Sequence, residues 1–122
     1  MKADLFDRLA KLSRNLHGHM YVLPVACWIF EGEISGVSVA EAMAGLGGKA
    51  DRPRIIEALV RLTRIGALTE LARPEQRNSP RFFERAEDPF WVYVDALLAS
   101  LRAEGGGRRG APQFSEVSRG LA

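Results

Sequence analysis

Leu5, Leu9, Leu12 and Leu16 recur three or four residues apart, with Asp4, Asp7, Arg8, Lys11 and Arg14 between them. That spacing predicts an amphipathic helix, closed by His17-Gly18-His19. Met20 to Phe30 is apolar on nearly every side and contains Pro24. A helix starting near Leu23 accommodates the proline in its first turn, where no amide hydrogen bond is lost, and would be the central buried helix. Gly32 to Gly36 interrupts the pattern, and Ile34 to Val37 suits a short strand. Ser38 and Glu41 then have the S-x-x-E spacing of a capping box. The helix they open runs to about Leu46, with Val39, Ala42, Met43 and Leu46 as its core face.

Gly45-Leu46-Gly47-Gly48 supplies turn chemistry, Asp51 is placed to cap a further helix, and Pro53 fits that helix's first turn. With residues about 100° apart over Arg52 to Ile65, Ile55, Ile56, Leu59 and Leu62 fall on one side. Arg54, Glu57, Arg61 and Arg64 fall on the other, and Arg52 sits in the first turn. Gly66 ends the helix. Ala67 to Ala72 alternates as a strand, Arg73 to Pro80 is polar turn material, and Arg81 to Arg85 is again extended, so a hairpin is expected. Asp88-Pro89 opens a last helix with the stripe Trp91, Val94, Leu98 and Leu101, widened by Phe90 and Leu97. Past Arg102 periodicity is lost, and a mobile tail over 104–122 is expected.

The length of 122 residues, 47% of them hydrophobic, suits one domain with one core. Its 17 Lys+Arg and 15 Asp+Glu leave a net charge of only +2, but the charge is unevenly spread. Lys49 to Arg85 holds nine basic residues against five acidic ones, a local +4, while each flank carries about −1. The lone Cys27 lies in an apolar run, which excludes an intrachain disulfide and any multi-cysteine zinc site and suits a small buried hydrophobe. The amino terminus is charged and amphipathic, unlike a signal peptide, and the longest apolar run is about half a membrane span, so a cytoplasmic location is expected.

Catalytic chemistry finds no residues to carry it. His17 and His19 flank a glycine at a helix end, without accompanying cysteine or acidic cluster. Gly45-Leu46-Gly47-Gly48-Lys49 is no phosphate loop, because Met43 and Ala50 stand where glycine and Ser/Thr are needed. No serine lies in a G-x-S-x-G elbow. The chain is therefore expected to be no enzyme and to use no metal or cofactor.

The stretch Ile55 to Leu71, IIEALVRLTRIGALTEL, resembles the recognition helix of the small MarR-like and ArsR-like winged-helix regulators, where a leucine-rich core face leads through a glycine into the first wing strand. Ser38 to Leu46 resembles the preceding helix and Arg81 to Trp91 the wing exit, so the likeness spans Leu23 to Leu101. The expected fold is mainly α with a small β-hairpin wing: a winged helix-turn-helix with extra N- and C-terminal helices, over residues 1–103. The resemblance implies sequence-directed binding of double-stranded DNA by a dimer whose outer helices pack together. One cysteine and two histidines depart from the ligand sets of the metal-sensing members, which argues against a metal response.

In that arrangement Arg52 and Arg54, at the start of the recognition helix, are placed to read guanine edges in the major groove. Lys49, Arg61 and Arg64 suit phosphate contacts, and Arg77 and Arg81 are the cations of the wing. Two terminal helices with apolar stripes, Leu5, Leu9, Leu12 and Leu16 on the first and Trp91, Val94, Leu98 and Leu101 on the last, exceed what one small domain covers, so a homodimer is expected. The alternative is a winged-helix protein-protein interaction module whose arginines meet an acidic partner; arginines paired within the chain would favour it. Trp28, Phe30, Phe90 and Trp91 are the aromatics available for a small-molecule effector pocket, though nothing else in the sequence supports an effector.

Overall fold

The structure is a computed structural model that describes residues 2–72 and 80–105. The tip of the expected wing, with Arg77, and most of the expected tail lie outside the described residues. The elements in chain order are α1 (Ala3–His17), α2 (Val22–Glu31), β1 (Gly36–Ser38), α3 (Val39–Gly45), α4 (Arg52–Arg64), β2 (Leu68–Glu70), β3 (Phe82–Arg85) and α5 (Phe90–Gly105). This is the mainly helical winged helix-turn-helix expected from the sequence.

Helix α2 organises the core because it has almost no polar face: Val22, Leu23, Pro24, Val25, Ala26, Cys27 and Ile29 are all buried. It packs against α1, α4 and α5. Burial pushes the Cys27 thiol up to about 12, so it behaves as a small apolar group. Ser13, itself buried, ties α1 to α2: its hydroxyl donates to the His19 carbonyl at 2.6 Å and accepts the Leu23 N–H at 3.0 Å. That contact satisfies a donor left open at the start of α2.

The Ser38 capping box forms in full, with the Ser38 Oγ accepting the Glu41 N–H at 3.1 Å and Glu41 Oε1 accepting the Ser38 N–H at 3.2 Å. Asp51 occupies the cap position of α4, but its side chain makes no capping bond and lies instead 3.6 Å from Arg54 Nε. At the start of α5, Asp88 Oδ1 accepts the Phe90 N–H at 2.9 Å.

The sheet has the order β1-β3-β2, antiparallel throughout, so Phe83 on the middle strand faces Val37 on one side and Glu70 on the other. The first strand begins two residues later than expected. The Ile34 N–H is used by the Ile29 carbonyl at 3.1 Å to close α2, which removes Ile34 from the ladder.

The stripe on α5 is turned inward. Trp91, Val94, Leu98 and Leu101 close the core of the single chain, as does Leu9 of α1, and none has surface to offer a second subunit. The reason is that α2 is apolar enough to cover both terminal helices at once. Leu5 and Leu12 are half-buried, and of the expected interface residues only Leu16 is well exposed, at 59%. On α5, among the described residues, the exposed large apolar residues are Val92, at 73%, and Tyr93.

Candidate nucleic-acid interface

Helices α3 and α4 meet across the turn 46–51 and form the helix-turn-helix, with β2 and β3 as the wing base. Ile55, Ala58, Leu59 and Leu62 anchor α4 in the core, with Ile56 at its margin. Anchoring on that side leaves the amino-terminal turn, Arg52 to Arg54, exposed.

The seven cations expected to face nucleic acid divide into distinct groups. Arg52 and Arg64 are exposed and have no acid within ion-pair distance among the described residues. Arg54 pairs loosely with Asp51, both side chains being about 60% exposed (59% and 62%), and such a pair adds little and yields easily. Lys49 is exposed with its Nζ 4.8 Å from the Phe6 ring centroid, and its carbonyl accepts the Tyr21 hydroxyl at 3.3 Å. These four lie on the turn and the exposed side of α4.

Arg61 and Arg81 are committed inside the chain. Arg61 donates from Nε to Glu57 Oε1 at 2.9 Å and from Nη1 to the His17 carbonyl at 2.8 Å. It is a strut between the last turn of α4 and the last turn of α1, where a cation also meets the negative end of the helix dipole. Arg81 makes a bidentate pair with Glu70 across the wing base, at 2.8 and 2.7 Å, over the Phe83 ring. Helical spacing places Arg61 beside Glu57, but its second partner is 44 residues away and has no local signature. The Arg81 pair was readable only from the strand register. Arg77 lies outside the described residues.

Around the Arg61 strut sit both histidines. Burial first, then Arg61, lowers the pKa of His17, whose Nε2 is buried without a hydrogen-bond partner and whose ring meets Phe90 edge-on at 6.5 Å. His19, whose Nδ1 accepts the Tyr21 N–H at 3.2 Å, is lowered by burial, then Arg61, with Glu57 opposing and Arg54 reinforcing. The folded chain thus holds both imidazoles neutral at a pH where the unfolded chain, titrating near 6.5, has begun to bind protons. Protonation favours the unfolded state, so stability falls as pH drops below about 6.5 until the lower folded values are reached. Urea unfolding between about pH 7.5 and about pH 5.5 should show this decline, and His17→Phe, which keeps a ring against Phe90, should reduce it. An unchanged slope in that variant would remove His17 from the explanation.

Of the four aromatics considered for an effector pocket, Phe30 and Trp91 flank the Arg85 guanidinium. Trp28 packs on Gly45 of α3, and Phe90 lies against His17, Trp91 and Tyr93. Among the described residues no three His, Cys, Asp or Glu side chains are grouped to hold a metal, and no helix is long and apolar enough to cross a membrane.

The sequence matches no protein-family model and no curated protein. Solved structures similar to it include NadR in complex with 4-hydroxyphenylacetate, at TM-score 0.47 and 14% identity over 97% of this chain and 82% of that one. They also include transcriptional regulator PA4135, at TM-score 0.55 and 16% identity over 97% of this chain and 88% of that one. At that identity the likeness to PA4135 is one of fold, and the fold is the winged helix-turn-helix with flanking helices that the MarR-like resemblance implied.

Proposed function

We propose that the chain is a sequence-specific regulator of transcription that binds duplex DNA as a homodimer. The observation that carries this reading is the exposed first turn of α4, where Arg52 and Arg54 stand beside Lys49 on a helix-turn-helix with Arg64 further along. Arginine side chains at the leading end of such a helix can donate two hydrogen bonds to guanine O6 and N7 in the major groove. Lys49 and Arg64 are placed for phosphates, which set register rather than sequence. The fold shared with transcriptional regulator PA4135 agrees with this use.

The dimer surface in this proposal is the end of the molecule where α1 finishes and α5 begins. Leu16 precedes His17, whose ring meets Phe90, and Phe90 in turn meets Tyr93 beside the exposed Val92. A second copy covering this end would bury the largest exposed apolar side chains of both helices. Arg61 and Arg81 support the scaffold, Arg61 by linking α4 to α1 and Arg81 by closing the wing base.

Selection of bound duplexes from a random DNA pool at two salt concentrations, with a solution mass, tests the proposal. The expected result is an inverted repeat enriched by a dimer. On that site Arg54→Ala should lose about 1 to 3 kcal/mol, while Lys49→Ala should weaken all duplexes alike and lower the salt slope by about one. The inward pairing of Arg61 and Arg81 favours a second reading, a protein-interaction module. Absence of enrichment and of salt-dependent binding would leave that reading standing and end the first.

A further inference from the structure

A cleft of about 370 Å³ lies between the turn that leads from α2 to β1 and the connection from β3 to α5. Glu33, Ile34 and Ser35 form one wall, Arg85, Ala86, Glu87 and Asp88 the other, and the buried Trp91 completes it. Its size lies within the range of small-molecule sites.

The two walls are fixed. The Arg85 N–H donates to the Ser35 carbonyl at 2.7 Å, the Ala86 N–H to the Ala67 carbonyl at 3.0 Å, and the Trp91 indole N–H to that same carbonyl at 3.1 Å. Arg85 is held by its faces: the guanidinium carbon lies 4.5 Å from the Trp91 ring centroid and 5.2 Å from that of Phe30. Stacking of this kind leaves the edge of the guanidinium, with its N–H donors, available. Although three carboxylates share the cleft, Arg85 makes no ion pair or side-chain hydrogen bond with any of them among the described residues. Glu33 sits on the rim with φ 50°, a left-handed conformation that glycine or asparagine would adopt more readily.

Charges of both signs, held apart around an apolar lining, select among ligands. A simple anion at Arg85 would face Glu33, Glu87 and Asp88, and a simple cation among those carboxylates would face Arg85. A small molecule carrying both charges satisfies both. We propose that this cleft binds a free α-amino acid with an apolar side chain, its carboxylate on the guanidinium edge of Arg85, its ammonium toward Glu33 and Glu87, and its side chain against Ile34. The proposal is independent of DNA binding and is tested without DNA.

Calorimetric titration of the full chain with L-leucine and L-phenylalanine should give saturable one-site binding for at least one of them at millimolar concentration. Phenylacetate, which lacks the amine, and phenethylamine, which lacks the carboxylate, should each bind at least about tenfold more weakly than L-phenylalanine or a matching loss should be seen for the leucine analogues isovalerate and isoamylamine. Arg85→Gln and the double variant Glu33→Gln with Glu87→Gln should each weaken amino-acid binding by about tenfold or more. Arg85→Lys, which keeps the charge but loses the planar fork, serves if Arg85→Gln unfolds, and should also bind more weakly. The proposal is overturned by absence of saturable binding, by single-charge analogues binding as well as the amino acid, or by folded Arg85 variants that bind unchanged.

Discussion

Phe83→Ala should cost about 3 to 5 kcal/mol of stability, measured as a fall in the urea midpoint, whereas Phe82→Ala next to it should cost under about 1 kcal/mol. Phe83 is completely buried on the central strand, between Val37 and Glu70, and Phe82 is 41% exposed. Truncating Phe83 removes its transfer energy and leaves a void where β1, β2 and the helical core converge, and the cost is a large part of the 5 to 15 kcal/mol that holds an ordinary domain together. The neighbouring side chain points to the other face of the sheet, as strand alternation requires. Similar losses for the two variants would mean that the register is wrong by one residue.

The contrast between those neighbours bears on what the sequence reveals. Both phenylalanines lie in the expected extended segment Arg81 to Arg85, but alternation alone does not say which face meets the core. The hairpin was legible because Gly66 and the polar run after Ala72 bound two apolar segments. The addition of β1 to the far edge of β3 was not legible, since Gly36–Ser38 is too short to reveal its partner. The capping box, the core face of α4 and the buried α2 were legible because each depends on local spacing and burial.

Side-chain commitments across the fold were hidden. The stripe Trp91, Val94, Leu98 and Leu101 was correctly placed on one helix face, but periodicity identifies an apolar face and not its cover. That cover is α2, and the large apolar residues that face outward on α5 are Val92 and Tyr93. Among the arginines of α4, helical spacing grouped Arg54, Arg61 and Arg64 together. Only the fold distinguishes Arg61, whose guanidinium reaches the carbonyl end of α1, from Arg64, which is exposed. Arg85 counted only toward the central basic excess until its stacking on Phe30 and Trp91 appeared.

Gly45→Ala should be the second large perturbation, and it acts directly on the helix-turn-helix. A methyl group there would sit 2.1 Å from Trp28 Cε2, 2.3 Å from Nε1 and 2.4 Å from Cζ2, so the indole must leave its place against α3. Trp28 is half-buried toward the end of α2, and its indole fills the space over Gly45 in the last turn of α3. Overpacking of this kind costs about 1 to 3 kcal/mol, and the displaced ring should gain water and emit at longer wavelength. Gly48→Ala separates the packing effect from a backbone one. Gly48 has φ 72° with nothing within 4 Å of the added carbon, so alanine there should cost about 1 kcal/mol by strain and leave the indole emission unchanged. A loss of specific DNA binding in Gly45→Ala under conditions where the variant remains folded would mean that the spacing of α2 and α3, set by a missing side chain, fixes the angle at which α4 presents Arg52 and Arg54. Unchanged stability and emission would show that the indole has another place to go and that Gly45 serves only the turn.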